Sequence, residues 1–233
     1  MSDQISYNER IFSKGLRSRL HLARFYWLQD KLKSFPSSDL SVLELGCYDA
    51  KTIPFLPAPP KKYLGFDANW ENGLDIARKT YQNPAYEFFE CNNPDDMIIK
   101  GEKFNLVICM ETIEHIPEEM LEGYLTKIKE ATDGLFILTV PNEIGLVFLI
   151  KYLIKLMIFR EKINPKYSFS DVINQTLGLM DRVIHDDHKG FDYRRLIARL
   201  KRDWRIEEVV AIPLNRAPLS MSFSIGIVCK PSV

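Results

Sequence analysis

The sequence predicts an α/β fold, namely a doubly wound, mostly parallel seven-stranded sheet with a last antiparallel strand and helices on both faces. Two observations support this prediction. Almost continuously apolar runs, which are typical of parallel strands buried on both faces, occur at Ser41–Leu45, 63–66, Phe104–Met110 and 135–140. Helical patterns separate these runs, and strands that alternate with helices indicate βαβ units with a parallel sheet.

The remaining elements follow in chain order. Residues 8–35 have a helical pattern, further helices are predicted over 70–81 and 117–132, and a weaker strand is predicted at 86–91. Residues 206–214 and 222–230 have the pattern of two strands that close the sheet as a hairpin, after a helix over 193–201 that Asp192 would cap. We therefore expect one domain whose ligand-binding loops lie at the carboxyl ends of the strands.

The composition argues against several classes of protein. Of the 233 residues, 31 are Lys or Arg and 31 are Asp or Glu, so the net charge is zero, unlike that of a dedicated nucleic-acid-binding protein. The 4 Cys are spread without a C-x-x-C pair, which argues against a disulfide scaffold and favours a reducing compartment. The polar start, MSDQISYNER, has no apolar run, so we expect no signal peptide and a cytoplasmic location.

Two strand ends carry residues suited to binding a nucleoside. Glu44 lies near the end of the first strand and precedes the turn glycine Gly46, where a backbone can approach a ligand closely. Asp67 ends the second strand about 20 residues later, where a carboxylate can accept hydrogen bonds from both ribose hydroxyls. A nicotinamide dinucleotide site needs G-x-G-x-x-G at this turn, whereas this chain has Gly46 alone. A nucleoside without phosphates therefore fits better.

Four motifs follow one another along the predicted strands. They are VLELGCYDA at 42–50, LGFDAN at 64–69, FNLVICMETIEHI at 104–116 and ILTVPN at 137–142. Together they resemble the motifs of class I S-adenosylmethionine-dependent methyltransferases, which implies the fold of that family, S-adenosylmethionine as cofactor and methyl transfer as activity. We expect an N-terminal helical cap (1–39), a cofactor-binding core (40–142), an insertion or lid (143–190) and a C-terminal helix with a strand hairpin (191–233).

The resemblance assigns roles in cofactor binding to individual residues. The methionine portion of the cofactor would lie over the backbone of Gly46 and Cys47. Glu44 would accept a hydrogen bond from the amino group of this portion. Asp67 would hold the ribose. Asn92, which follows the third strand, would accept from the adenine amino group through its side-chain oxygen.

Further residues of the same motifs complete the predicted cofactor site. Met110 and Glu111 would border the methionine and the sulfonium, and Tyr48 and Ala68 lie beside the residues already named. Tyr48 and Ala50 replace two glycines that the family usually has at the first turn. This departure leaves open a non-catalytic, methyltransferase-like binding or scaffold protein. A nucleotide-dependent oxidoreductase is a further alternative, disfavoured by the missing glycines.

The acceptor side of the site is predicted from the few histidines. An acceptor that carries a proton needs a base, and His188 is the candidate, with Asp187 or Asp186 orienting it. His115 is interpreted as structural. His185 and His188 with the two Asp could instead be metal ligands, but neighbours in one loop seldom converge on an ion, so we expect no metal. A plain solvated capping loop remains the third interpretation.

Residues 143–160, EIGLVFLIKYLIKLMIFR, are too short and too charged to span a bilayer, which needs about 20 apolar residues. Three interpretations remain, namely a lid over the acceptor site, a homodimer contact, or a helix lying at the inner face of a membrane. Basic residues follow this segment, which suits an anionic acceptor or lipid surface. We expect a small-molecule or lipid-linked acceptor, methylated on an oxygen such as a sugar or natural-product hydroxyl. A nucleic-acid acceptor is disfavoured because the chain has no N/D-P-P-Y/F signature.

Overall fold

Seven strands form one sheet in the computed structural model of the chain, which describes residues 15–158 and 167–232. Their order in the sheet is β3-β2-β1-β4-β5-β7-β6. Six strands run in one direction, whereas β7 is antiparallel to both of its neighbours, β5 and β6. The strands are β1 (Ser41–Leu45), β2 (Lys62–Asp67), β3 (Tyr86–Glu90), β4 (Phe104–Met110), β5 (Thr132–Pro141), β6 (Trp204–Ile212) and β7 (Ser224–Pro231).

Six α-helices accompany the sheet within the described ranges, and short 3₁₀ turns lie between the elements. The helices are α1 (Leu16–Lys31), α2 (Gly73–Thr80), α3 (Glu118–Ala131), α4 (Gly145–Ile158), α5 (Phe169–Thr176) and α6 (Tyr193–Asp203). Among the described residues, no helix is both long enough and apolar enough to cross a membrane.

The two faces of the sheet carry separate apolar cores, because successive side chains of a strand point to opposite faces. Leu43 and Val107 belong to the core that also contains residues of α3 and α6. Val42 and Leu106 belong to the opposite core, with residues of α1 and α2. Burial on both faces explains why the central strands are almost continuously apolar in the sequence.

The order of the strands places the functional edge. The chain passes from β1 outwards to β2 and β3, then returns to pair β4 with β1 on the other side. A crevice forms at such a switch point, at the carboxyl ends of the strands. Leu45 pairs with Phe66, so Gly46 and Asp67 both follow directly beyond paired residues at the same edge.

The structure confirms the predicted fold class and the antiparallel last strand, and it changes several boundaries. The helix predicted over 70–81 begins only at Gly73, because Asn69, Glu71 and Asn72 have positive φ values that interrupt the helix. The weak strand at 86–91 is β3. Asp192 caps α6 as predicted, and its side chain accepts from the backbone N–H of Arg194. Residues 8–14 and 159–160 of two predicted segments lie outside the described residues.

Candidate cofactor and acceptor site

A cavity of about 690 Å³ opens beyond the carboxyl ends of β1, β2 and β4. Cavities of this size are typical of sites that bind small molecules. All the residues predicted from the sequence to bind the cofactor or to act on the acceptor line this one cavity, namely Glu44, Gly46, Cys47, Tyr48, Asp67, Ala68, Asn92, Met110, Glu111, Asp187 and His188. Their roles stay predictions, but the chain brings them together.

The turn after β1 depends on the glycine at position 46. Gly46 has φ 77°, a region that favours glycine, and its N–H donates to the carbonyl of Phe66 at 2.7 Å. A Cβ added to Gly46 would lie 2.0 Å from Oγ1 of Thr112, the second residue beyond β4. The loops after β1 and β4 therefore pack closely here, with the Thr112 side chain against the backbone of Gly46.

The two non-glycine residues of this turn keep left-handed backbone conformations. Tyr48 has φ 46° and Ala50 has φ 60°. The Tyr48 ring lies against Gly73 at the start of α2, where a Cβ added to the glycine would be 2.3 Å from the ring. The centroids of the Tyr48 and Trp70 rings are 6.3 Å apart. The side chains thus depart from the family motif while the backbone adopts the conformation that glycine would favour, and the cavity stays open beside the ring.

Asp67 offers an acceptor to the cavity. Its Oδ2 accepts from the backbone N–H of Tyr48 at 2.9 Å, whereas its Oδ1 is buried without a hydrogen-bond partner among the described residues. Burial raises the pKa of this carboxyl above its ordinary value, against the lowering effect of backbone N–H groups that include that of Tyr48. An unpaired buried acceptor at this position fits the hydroxyl donors of a ribose.

Glu44 is part of a buried hydroxyl network under the turn. Its Oε2 accepts hydrogen bonds from the hydroxyls of Thr52 and Tyr63. Burial raises the pKa of Glu44 to about 8, despite these two hydrogen bonds. The carboxyl group, at 2% exposure, therefore stays mostly protonated at neutral pH in the free protein.

We expect Glu44 to make the folded protein less stable as the pH rises. Its ordinary pKa of 4.5 is raised to about 8 in the folded state, so the folded state keeps the proton that the unfolded state loses. The contribution of Glu44 to the free energy of unfolding should be constant below about pH 4.5. It should fall between about pH 4.5 and 8, by up to roughly 1.4 kcal/mol per pH unit. Urea unfolding of the wild type and of Glu44→Gln at several pH values measures this.

The glutamine variant is its own control, because it keeps the side-chain shape without a titrating proton. The difference in unfolding free energy between wild type and Glu44→Gln should change steadily from pH 5 to pH 8. A difference that is independent of pH would contradict the raised pKa.

Asn92, Met110 and Glu111 line the cavity beyond β3 and β4. The Asn92 amide nitrogen donates to Oε1 of Glu90 at 3.0 Å. Glu111 has φ 52°, and its backbone N–H donates to the carbonyl of Thr139 at 2.9 Å. Its Oε1 is buried without a hydrogen-bond partner among the described residues. The turn after β4 thus points a carboxylate into the cavity.

Arg24 is a cavity residue that sequence reasoning missed. It lies on α1 at 7% exposure, with its Nη1 4.0 Å from Oε2 of Glu111. Its Nε is buried and has no hydrogen-bond partner in the described part of the chain. The helical pattern of residues 8–35 does not indicate which of its arginines faces the cavity and which face solvent. The N-terminal segment therefore contributes a cation to the site.

The loop before α6 brings a second group of residues to the cavity. Oδ1 of Asp187 pairs with Nδ1 of His115, and the rings of His115 and His188 meet edge to face with centroids 4.7 Å apart. The sequence analysis expected Asp187 or Asp186 to orient His188 and expected His115 to be structural. The hydrogen bond of Asp187 instead orients His115, because the loops after β4 and before α6 meet here. His185 is exposed and is not among the cavity-lining residues described.

A buried carboxylate completes this group. Glu114 is fully buried, and neither of its oxygens has a hydrogen-bond partner among the described residues. Burial raises its pKa well above the ordinary value, and the neighbouring charge of Glu111 acts in the same direction. Burial lowers the pKa of His188. The acceptor side of the cavity is therefore rich in groups that could bind a ligand.

The fold and this cavity are those of a class I S-adenosylmethionine-dependent methyltransferase. The family described as "Methyltransferase domain" matches residues 18–171, and the chain belongs to this family. Among curated proteins, no sequence matches the chain.

Solved structures support the fold at low sequence identity. An S-adenosylmethionine-dependent methyltransferase from Clostridium acetobutylicum ATCC 824 is 14% identical, with a TM-score of 0.63, covering 97% of this chain and 96% of its own. Magnesium protoporphyrin IX methyltransferase (ChlM) from Synechocystis PCC 6803 with bound SAH is 15% identical, with a TM-score of 0.54 and coverages of 96% and 92%. The small RNA methyltransferase HEN1 is 14% identical, with a TM-score of 0.59, covering 92% of this chain and 25% of its own. The latter two are named for a porphyrin and for small RNA, so likeness to these structures does not choose an acceptor.

The chain is an S-adenosylmethionine-dependent methyltransferase, and its cavity fits this cofactor. Asp67 presents an unpaired acceptor for ribose hydroxyls, and Gly46, where an added side chain would clash with Thr112, lines the cavity with its backbone. When bound, S-adenosylmethionine supplies a methyl group on a sulfonium. The work of the chain's own residues is then to align an acceptor within the cavity and to exclude water from it.

Proposed function

We propose that this methyltransferase acts on an oxygen of a lipid-linked acceptor at a membrane surface. The observation that carries the proposal is the α4–α5 apolar surface, a set of exposed apolar side chains on the outer faces of these two helices. They are Leu146, Ile150, Leu153, Ile154, Met157, Phe169, Ile173 and, directly after α5, Leu177. Exposed apolar side chains gathered in this way are typical of interaction sites rather than of ordinary surface.

The inner and outer sides of α4 differ in their environment. Phe148 is buried at 2% exposure, and its ring lies 5.7 Å from that of Tyr167, the second residue before α5. Lys151 bonds Glu143 at 2.8 Å and lies 4.7 Å from the centroid of the Phe223 ring. These contacts hold α4 against the domain. The α4–α5 apolar surface therefore belongs to an anchored helix pair.

This surface connects to the acceptor side of the cavity through α5. Oε1 of Gln175 on α5 accepts from the backbone N–H of Gly190 at 3.3 Å, and Asp171 bonds Lys189 at 3.0 Å. Gly190 and Lys189 directly follow His188 in the loop that lines the cavity. A lipid held at α4 and α5 would thus lie beside the loop that carries the predicted acceptor residues.

The position of α4 disfavours a lid for residues 143–160, and the charge next to α4 suits a lipid surface. None of the described cavity-lining residues belongs to α4, which disfavours a lid. Residues 159–166, which connect α4 and α5 in sequence, contain three basic residues and one acidic residue. Apolar helix faces flanked by basic residues suit an anionic membrane, where each basic residue contributes about 1 kcal/mol. His188 remains the predicted base within this proposal, and Asp187, which pairs with His115, lines the same cavity. The zero net charge supports an acceptor other than nucleic acid.

Vesicle binding tests the proposal. We expect the protein to sediment with phosphatidylglycerol vesicles much more strongly than with phosphatidylcholine vesicles, and less strongly in high salt. Leu146→Glu with Met157→Glu, at 66% and 68% exposure, should weaken this binding at least about tenfold. Ile98→Glu is the matched control, because Ile98 is 64% exposed but lies beyond β3, away from α4.

Methyl transfer from labelled S-adenosylmethionine tests the acceptor directly. Label should enter a membrane lipid extract and resist mild conditions that hydrolyse esters, as expected of an ether. Label that enters only RNA, or only water-soluble small molecules, would overturn the lipid-linked acceptor. Equal binding of wild type and the double variant to anionic vesicles would overturn the membrane surface, and a dimer lost only in the double variant would assign the surface to a homodimer.

A further inference from the structure

Three potential ligands of a metal ion meet at the acceptor side of the cavity, and they come from two separate loops. A carboxylate oxygen of Glu114 and a ring nitrogen each of His115 and His188 lie within 4.8 Å of one another. Glu114 and His115 follow β4, whereas His188 precedes α6. These residues differ from the set within 185–188 for which the sequence predicts no metal, since only His188 belongs to both.

The burial of these groups indicates that a ligand belongs here. Glu114 is fully buried and neither of its oxygens is hydrogen-bonded among the described residues, and Nδ1 of His188 is likewise buried without a hydrogen bond there. A buried polar group without a partner costs about 1–3 kcal/mol, and more where it is charged. Glu111, three residues before Glu114, adds another buried and unpartnered oxygen. One ligand that satisfies several of these atoms together would remove these costs.

The orientation of His115 suits metal binding. Its Nδ1 pairs with Oδ1 of Asp187, and its Nε2 lies 3.8 Å from Oε1 of Glu114. Histidines that bind metals commonly donate their other ring N–H to a carboxylate, which orients the ring. Asp187 would therefore be a positioning residue. Ligand atoms on one cation lie about 3–4 Å apart, which is a little closer than the 4.8 Å within which the atoms of Glu114, His115 and His188 lie.

We propose that Glu114, His115 and His188 bind a divalent transition-metal cation, with Glu111 as a further oxygen ligand. Two imidazoles with carboxylates favour cations such as Mn²⁺ or Zn²⁺ over Mg²⁺ and Ca²⁺, which prefer oxygen ligands alone. The site does not depend on which acceptor is methylated. His188 could not act as ligand and as base through the same nitrogen, so the proposal competes with its predicted role as base.

Calorimetric titration of the chelator-treated, full-length protein with MnCl₂ tests the proposal without any methyl transfer. We expect one Mn²⁺ per chain, with MgCl₂ binding at least tenfold more weakly. His188→Gln should weaken Mn²⁺ binding at least about a hundredfold, while S-adenosylhomocysteine binding shows that the variant is folded. His185→Gln is the matched control, three residues away and exposed, and it should bind Mn²⁺ as the wild type does.

His115→Gln is a second variant that does not disturb the buried part of the site, since the His115 side chain is 47% exposed. His115→Gln should also lose Mn²⁺ affinity. It therefore tests the metal site even if the His188→Gln variant does not fold. Absence of Mn²⁺ and Zn²⁺ binding to the wild type would overturn the proposal. Unchanged binding in His115→Gln would overturn it as well. Neither result would bear on the lipid-linked acceptor.

Discussion

Replacement of Gly46 by alanine is expected to abolish S-adenosylhomocysteine binding and to destabilise the fold by at least about 3 kcal/mol. The new Cβ would lie 2.0 Å from Oγ1 and 2.7 Å from Cβ of Thr112, so a change of the threonine rotamer alone cannot relieve the contact. The loops after β1 and β4 would have to separate. Because these loops form the floor of the cavity, the cofactor site would open with them.

Gly101→Ala separates the steric contact from the backbone effect. Gly101 has φ 74°, close to the 77° of Gly46, but among the described residues nothing lies within 4 Å of a Cβ added there. The control should therefore cost only about 1 kcal/mol and leave S-adenosylhomocysteine affinity unchanged. Urea unfolding and calorimetric titration of both variants measure the difference. Similar losses in the two variants would show that the close approach of Thr112 is unimportant.

The central part of the fold was predictable because its signals are local. Strands buried on both faces must be apolar at every position, which the sequence displays at Ser41–Leu45 and Phe104–Met110. The carboxyl ends of parallel strands must meet at one edge, so Glu44, Asp67 and Met110 could be assigned to one site before their contacts were known. Motif order and strand direction together were enough to assign these residues to one cavity, while their roles in cofactor binding stay predictions.

The acceptor side was less predictable because it depends on contacts between distant segments. Asp187 and His115 are 72 positions apart, and nothing local to either indicates that they pair. The same holds for Arg24, which reaches Glu111 from the N-terminal helix. The helix start at Gly73 was missed for another reason, since Asn69, Glu71 and Asn72 adopt left-handed conformations that few sequence signals announce. Long-range packing decided the two contacts, whereas local backbone conformation decided the start of α2.

The cofactor side and the acceptor side differ in how well their polar groups are satisfied. Glu44 accepts from two hydroxyls, and Asp67 is held on one oxygen by the backbone, which leaves its Oδ1 for a ligand. Glu114 and Nδ1 of His188, by contrast, are buried and unpartnered within the described ranges. Preorganised acceptors suit a cofactor that binds the same way in every turnover. Glu114 and His188, which lack these hydrogen bonds, mark where the acceptor side still needs a ligand.

Asp67→Asn is expected to weaken S-adenosylhomocysteine binding by about 10- to 100-fold, because hydrogen bonds to a charged acceptor contribute about 1.5–3 kcal/mol each. The unpartnered Oδ1 of Asp67 is the atom at issue. Asparagine keeps the shape, so its own oxygen can still accept from the backbone N–H of Tyr48, which lies 2.9 Å from Oδ2. The amide nitrogen would then face the ribose, where a donor meets the hydroxyl hydrogens.

The control for this variant is Asp75→Asn, which removes an equal charge from the exposed Asp75–Arg78 pair on α2. It should bind S-adenosylhomocysteine as the wild type does, since exposed pairs contribute little. Thermal unfolding should show Asp67→Asn folded, because the raised pKa of Asp67 means that burial already disfavours its charge. With the ligand at a hundredfold excess over its dissociation constant, the wild type gains about 2.7 kcal/mol. An equal gain in Asp67→Asn would remove this residue from the cofactor site and shift the search for the ribose ligand to Glu44.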